Sequence, residues 1–452
     1  MSERKRRKAK RRVTIIVIII IIAVSSLLYY FSIAPLPPNS PYVQEFATKQ
    51  TAIPNAIAVD DQGRVWFASW NETALGMLYP SNGTIRMFTL PEPSNSSLET
   101  WGITVDSVNG VVWFTDHISN AIWSFNIKSH AFTKYPIPTG GSFPYQIALD
   151  QNGNVWFSEM FVGKLGELTT QGLIKEYIIP GSGYTPDPTG LVMENETLWF
   201  TEPNENMIGA FYNGAFTLYN VTGTIFSPVG IAFDSHGNLW VTQHTYPGLV
   251  SEFNPSNRYV KTFATSFPSE LGTSLPYFIY TDARGNVWFN EHYGNSIAFL
   301  NPASSELIEY HVPLRVSIPG NLSGILTMAL SQNGEPWFTE FFTGNIGTIN
   351  TSAPIEQRLS VTNSAQTINI ANGTNSKVSL TIQGKDVGYL SAYVGNFTQS
   401  INFVFSPSSG SGNFSSTLTV QNNGAKPGVY FVTISDATEY LTVSQVVQVD
   451  VP

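Results

Sequence analysis

The chain of 452 residues contains no cysteine, which excludes disulfide staples, thiolate zinc sites, iron–sulfur clusters and cysteine nucleophiles together. Any metal must sit on oxygen or histidine ligands. Charge is also scarce: Asp, Glu, Lys and Arg make up 12% of the residues, about half the share of an ordinary soluble protein. With 42% hydrophobic and 13% aromatic residues, the chain has ample material for packed cores, so disorder is excluded over most of its length. Beyond residue 12, basic groups are few. Eight of the 23 Lys and Arg lie in residues 4–12, which leaves 15 basic against 31 acidic groups in residues 13–452. A duplex nucleic-acid binder needs a basic face that displaces counterions, and 15 scattered cations do not assemble one. Gly-rich phosphate loops, H-E-x-x-H, G-x-S-x-G and EF-hand loops are likewise absent.

One long apolar run is present. Val13 to Ile33 carries no charge, and at 1.5 Å per residue it spans about 31 Å, the thickness of a hydrocarbon core. Basic residues on its amino side and Tyr29, Tyr30 and Phe31 at its far end predict a single-pass anchor with a cytoplasmic N-terminus and an external C-terminal portion. The expected organisation is a basic tail over 1–12, an anchor over 13–34 and a Pro-rich stalk over 35–41. A composition without Cys, short of charge and rich in Ile and Asn suits an archaeal cell surface. Ten N-x-Ser/Thr acceptors follow, at Asn71, Asn82, Asn95, Asn195, Asn220, Asn321, Asn350, Asn372, Asn396 and Asn413, where glycosylation is expected.

The dominant feature is a repeat. Trp-Phe or Trp-Val inside an apolar run recurs at Trp66, Trp113, Trp156, Trp199, Trp240, Trp288 and Trp337, with spacings of 41 to 49 residues. Each copy but the last holds four short strand patterns, and the first ends in a turn with Asp at its start and Gly three positions on, as in Asp150 to Gly153. This is the signature of an all-β, seven-bladed β-propeller, expected over 42–352. The seventh copy lacks a fourth strand of its own. Residues 43–48 match that pattern and are expected to close the ring, sealing an edge that would otherwise invite aggregation. From about Gln357 the composition shifts to Ser, Thr, Asn, Gly and Val, and alternating runs predict an Ig-like β-sandwich over 357–452.

The segments 154–180, 198–211 and 336–349 resemble the streptogramin B (virginiamycin B) lyase family, and the resemblance spans about residues 43–350. It implies a magnesium-assisted carbon–oxygen elimination that opens a cyclic depsipeptide at its ester. It also implies an essential His in a P-H-G/A-I context and a Glu one position beyond the W-F-T-E glutamate. The corresponding positions hold Asn55, Trp101, Tyr145, Thr189, Val229, Tyr277 and Leu326, then Trp70, His117, Met160, Pro203, His244, His292 and Phe341. Neither catalytic residue is found at any of them.

The propeller face formed by loops leaving second strands and entering first strands is the expected site. His244, His292 and Glu291 are the catalytic candidates, an imidazole and carboxyl set suited to proton transfer. The carboxylates three positions after each Trp, with Asp116, Glu159, Glu202, Glu291 and Glu340, occupy the same level, and His117, Glu159, Glu202 and Glu340 are the metal candidates. A residue repeated in most units is usually scaffold that accepts bonds from loop amides, and that is the first expectation for these carboxylates. Trp70, Trp101, Tyr145, Tyr277, Tyr293 and Phe341 are the ligand-binding candidates, since flat rings beside polar groups suit a sugar or peptide groove. His130, His236 and His311 fall in or beside fourth strands, where packing or solvated roles are expected. The leading expectation is a surface protein that binds a glycan, a peptide or an envelope protein. A metal-dependent lyase or hydrolase is the rival, with magnesium its implied cofactor.

Overall fold

The computed structural model describes residues 40–48, 52–70, 72–92, 98–181, 186–245, 248–266, 274–313, 324–362, 367–394 and 400–452. The expected tail, anchor and most of the stalk lie outside them. Among the described residues no helix is long and apolar enough to cross a membrane.

Antiparallel four-stranded units follow one another along the chain. Their innermost strands, in the order by which the units are numbered, are Pro54–Val59, Ile103–Asp106, Pro144–Leu149, Leu191–Glu194, Pro228–Phe233, Pro276–Thr281 and Ile325–Leu330. Each touches the next in order, and the last touches the first, so the units form a closed β-propeller ring. The unit of Ile325–Leu330, Pro336–Glu340 and Asn345–Ile349 takes its outer strand from Val43–Ala47, with Val43 opposite Ile349. Second strands are packed on both faces and bury every residue in Val65–Ser69 and Val155–Glu159. Outer strands such as Ile174–Ile178 are instead half-buried or exposed at every residue.

Three local devices explain the repeat. First, the turn Asp does double duty. Asp150 Oδ1 accepts the Asn152 and Asn154 amides, while Oδ2 accepts the Trp156 indole N–H at 3.1 Å, and Asp60 and Asp234 do the same for Trp66 and Trp240. Second, the Phe after the Trp lies over a glycine of the third strand. Phe157 faces Gly166, and a Cβ there would stand 2.1 Å from the ring; Phe67, Phe200 and Phe338 cover Gly76, Gly209 and Gly347 alike. Third, the residue two after the Trp joins neighbouring inner strands. Thr115 Oγ1 donates to Tyr145 O, Ser158 Oγ to Thr189 O, Thr201 Oγ1 to Val229 O and Thr242 Oγ1 to Tyr277 O. Asn290 Nδ2 to Leu326 O, Thr327 Oγ1 to Asn55 O and Asn55 Nδ2 to Thr100 O complete the circuit.

Residues beyond the ring form two facing sheets. One contains Arg358–Thr362, Asn375–Gln383, Phe414–Asn422 and Ile401–Ser406; the other is built on Val387–Val394, Gly428–Ala437 and Leu441–Val451. Val378, Leu380, Leu418, Val420, Val432, Ile434 and Val449 are buried between them. Leu441–Val451 also pairs with Glu306–His311, from Glu306 opposite Gln445 to Tyr310 opposite Leu441. The sandwich thereby continues the sheet of the unit that starts at Pro276 and covers its open edge.

Gly166→Ala should lower stability by about 1–3 kcal/mol, because the added methyl overpacks a buried ring. The urea midpoint reads this, and an unchanged midpoint would contradict the ring-on-glycine account. Unit six already holds Ala298 opposite Phe289, so Ala298→Gly should shift the midpoint less.

Candidate functional site

The site grows from irregularities in the inner strands. Register shifts between Pro144 and Ile147 and between Pro276 and Ile279 place Tyr145 and Tyr277 at β-bulges, which re-aim their side chains. Their carbonyls accept the Thr115 and Thr242 hydroxyls, and their phenol oxygens meet each other across the channel in a hydrogen bond. Burial raises both phenols, Tyr277 to about 12 and Tyr145 well above its ordinary value with the Tyr277 charge adding to burial, so both stay neutral. These residues lie within the first strands, or at their bulges, rather than ahead of them as the sequence pattern suggested.

Around this pair the loops gather rings. Trp101 stacks on Tyr145 at 5.3 Å between centroids; His244 and His292 stand 5.3 and 5.4 Å from Tyr277 and 6.4 Å from each other; Tyr293 edges His292 at 5.4 Å. The result is an unbroken aromatic floor from unit two to unit six. Beneath it, the cavity between inner strands, lined by Thr189, Val229, Tyr277 and Tyr280, measures about 50 Å³. That is room for water and far short of a drug-sized ligand, so a ligand must lie across the mouth. Trp70 and Phe341 form a separate edge-to-face pair at 5.6 Å, extended by Phe342 at 5.2 Å.

Both floor histidines are uncharged near neutral pH. Burial lowers His292 to about 4, helped by the charge of His244, and burial lowers His244 as well. His244 Nε2 and His292 Nδ1 are buried with no hydrogen-bond partner. His117, in contrast, is engaged: its Nε2 pairs with Glu99 and its ring stacks on Phe143 at 4.1 Å, with Phe161 4.2 Å beyond.

Residues 41–327 match the family model described as the Virginiamycin B lyase family. The chain belongs to the virginiamycin B lyase family. A virginiamycin B lyase of Nocardia farcinica (strain IFM 10152) is 25% identical over 215 residues, 47% of this chain and 68% of that protein. A streptogramin B lyase structure superposes with a TM-score of 0.60 at 26% identity, covering 68% of this chain and 97% of the other. A catalytically inactive virginiamycin B lyase from Staphylococcus aureus with quinupristin gives 0.58 at 27%, covering 68% and 98%.

In this member of the virginiamycin B lyase family the carboxylates of the repeat are buried. Glu159, Glu202, Glu291 and Glu340 are 0–2% exposed, and the acidic neighbours that act on them, Glu176, Asp187, Glu309 and Glu45, belong to the same units. Glu202 accepts the Asp187 amide at 2.8 Å and Glu340 the Thr343 hydroxyl at 2.8 Å. Asp116 accepts the Ile118 and Ser119 amides. Among the described residues no three His, Asp or Glu side chains gather as a metal site. The metal candidates His117, Glu159, Glu202 and Glu340 are therefore not brought together as one site. Glu291, beside His292 in sequence, is buried against Glu309 rather than turned to the imidazoles. Sequence reasoning missed Phe143, Phe161 and the hydroxyl circuit, whose signal was the Thr, Ser or Asn standing between Phe and Glu in W-F-T-E. The described glycosylation candidates Asn82, Asn195, Asn220, Asn350, Asn372 and Asn413 are all exposed. Asn71, Asn95, Asn321 and Asn396 lie outside the described residues.

The buried carboxyls give the fold a pH dependence. Burial, then the neighbouring Glu176, raises Glu159 to about 8; burial, then Glu45, raises Glu340 to about 8; burial raises Glu202 to about 8. A folded-state value above the unfolded one means that the folded protein holds the extra proton. The stabilisation is complete below the unfolded value near 4.5 and is lost as pH rises toward 8. Denaturation midpoints should therefore fall from pH 5 to pH 8, and Glu159→Gln should flatten that slope. A slope that steepens or is unaltered in the variant would count against this assignment.

Proposed function

We propose that the protein is a membrane-anchored, extracytoplasmic seven-bladed propeller, carried on residues 13–34 and followed by an Ig-like sandwich, whose channel mouth binds an external ligand. Among a glycan, a peptide and an envelope protein, the geometry favours a peptidic ligand that lies across the rings. The observation that carries this reading is the aromatic floor of Trp101, Tyr145, Tyr277, His244, His292 and Tyr293 beside a cavity of about 50 Å³ between inner strands, which has room only for water. Rings present apolar area at low entropic cost, and the phenol and imidazole nitrogens orient polar groups. The quinupristin named with the related Staphylococcus structure is a natural first probe. Exposed acceptor asparagines suit glycosylation of an external domain.

A second reading, extracytoplasmic elimination or hydrolysis, is supported by the uncharged imidazoles with unpartnered nitrogens. An imidazole free to accept a proton is what a general base requires.

One titration separates the two. Quinupristin is added to the full chain in detergent, heat is followed by calorimetry and the integrity of the probe by mass spectrometry, with and without magnesium. Binding without conversion is expected, and Trp101→Ala or Tyr277→Ala should weaken it by about tenfold or more. Ring opening that stops in the His244→Ala/His292→Ala double variant would replace the binding reading with the enzymatic one.

A further inference from the structure

The opposite face carries a second, unassigned groove, at the seam between units three and four, and the fold contains its own template for what fills it. At the seam between units one and two, Trp66, Phe88 and Phe125 form a triad with centroid separations of 6.1, 5.8 and 4.7 Å. At the seam between units three and four, Trp156, Tyr177 and Phe211 occupy the same strand positions at 5.7, 5.7 and 4.7 Å. The two triads are built alike. Their surroundings differ.

The first triad is capped from within. His130, at φ 59°, lies 5.0 Å from Phe88 and parallel to Phe125 at 6.0 Å. The Arg64 guanidinium stands 5.7 Å from the centre of Trp66 and pairs with Asp60 at 2.6 Å. The second triad has neither group. The turn between Phe211 and Phe216 is two residues shorter than that between Phe125 and Phe132, so His130 has no counterpart, and Asn154 stands where the first unit has Arg64. What remains is a groove of about 480 Å³ rimmed by Asp150, Glu196 and the exposed ring of Tyr212, with Glu167 beside it already paired with Lys175 at 3.2 Å and accepting the Tyr177 hydroxyl at 2.8 Å. Trp66 is 0% exposed under its cap and Trp156 9% without one.

The seam between units five and six is covered as well. Phe431 of the sandwich joins Trp240 and Phe263 in one buried cluster, and the Lys261 ammonium lies 4.7 Å from the centre of Phe263 and 5.9 Å from that of Phe431. A ring from another domain and a cation are thus the groups this fold places on these triads.

We propose that the seam between units three and four binds the arginine side chain of a peptide or protein partner, the guanidinium stacking on Trp156 and Tyr212 and facing Asp150 and Glu196. Arginine combines the planar head that the capped seams hold with a positive charge complementary to Asp150 and Glu196. The site is separate from the channel mouth, since it is formed by first-to-second and third-to-fourth turns and the mouth by the other two loop sets.

The test uses the full chain in detergent with two probes, acetyl-Ala-Arg-Ala-amide and its glutamine counterpart, followed by saturation-transfer NMR and calorimetry. The arginine peptide should bind and the glutamine peptide should not. Tyr212→Ala and Glu196→Gln, both surface changes, should weaken binding on the order of fivefold each. Asn154→Arg, which supplies internally the cation that Arg64 supplies in the first unit, should abolish binding and raise the melting temperature. His244→Ala should leave arginine binding unchanged. Equal binding of the two peptides, or arginine binding undiminished in the folded Asn154→Arg variant, would overturn the proposal.

Discussion

A side-chain hydroxyl or amide that reaches from one unit to the next is the interaction on which this ring depends. In a propeller each unit is a small sheet whose inner strand cannot pair with its neighbour along the backbone, so something else must satisfy the polar groups that crowd the axis. Thr242 shows the solution. Its Oγ1 accepts the Gly230 amide of its own inner strand and donates to the Tyr277 carbonyl of the next. Gly230 must lack a side chain for this, because a Cβ there would lie 2.1 Å from Tyr277 O. Thr201 and Gly190 repeat the arrangement against Val229. The paired roles of hydroxyl and glycine explain why the repeat couples a Thr beside the Trp with a Gly at the inner strand.

The same contacts build the candidate site. A bulge frees the carbonyl that receives the stitch, and the bulged residue turns its side chain toward the channel. In units three and six that residue is tyrosine, so the ring-closing chemistry and the aromatic floor share Tyr145 and Tyr277. Scaffold and site are one system here. The carboxyls that the sequence pattern made most conspicuous serve the scaffold instead, buried within their units and held protonated by that burial.

Much of this was legible in the sequence because it depends on local spacing. The Trp period, the Asp-to-Gly turns and the displaced outer strand at Val43–Ala47 are short-range patterns, and all appear in the structure as strands and pairings. The aromatic candidates Trp101, Tyr145, Tyr277 and Tyr293 were legible because they stand at entries to first strands and exits from second strands, which meet on one face of a propeller. What was hidden depends on the third dimension. No spacing shows that Glu159 points back toward Glu176 rather than to the axis, that the indole of Trp156 shares Asp150 with the turn, or that Leu441–Val451 extends a propeller sheet. The separation of Trp70 and Phe341 from the main floor has the same origin, since it is set by the order of units around the ring.

Amide hydrogen exchange on Thr242→Val tests the stitched ring most directly. Valine keeps the shape and removes both hydrogen bonds, leaving the Gly230 amide and Tyr277 carbonyl unpaired. The account predicts faster exchange at Gly230 and through the bulge at Tyr277 and Phe278, with the outer strand Val260–Ala264 as protected as before. Unchanged protection at Gly230, or equal loosening of inner and outer strands, would contradict it.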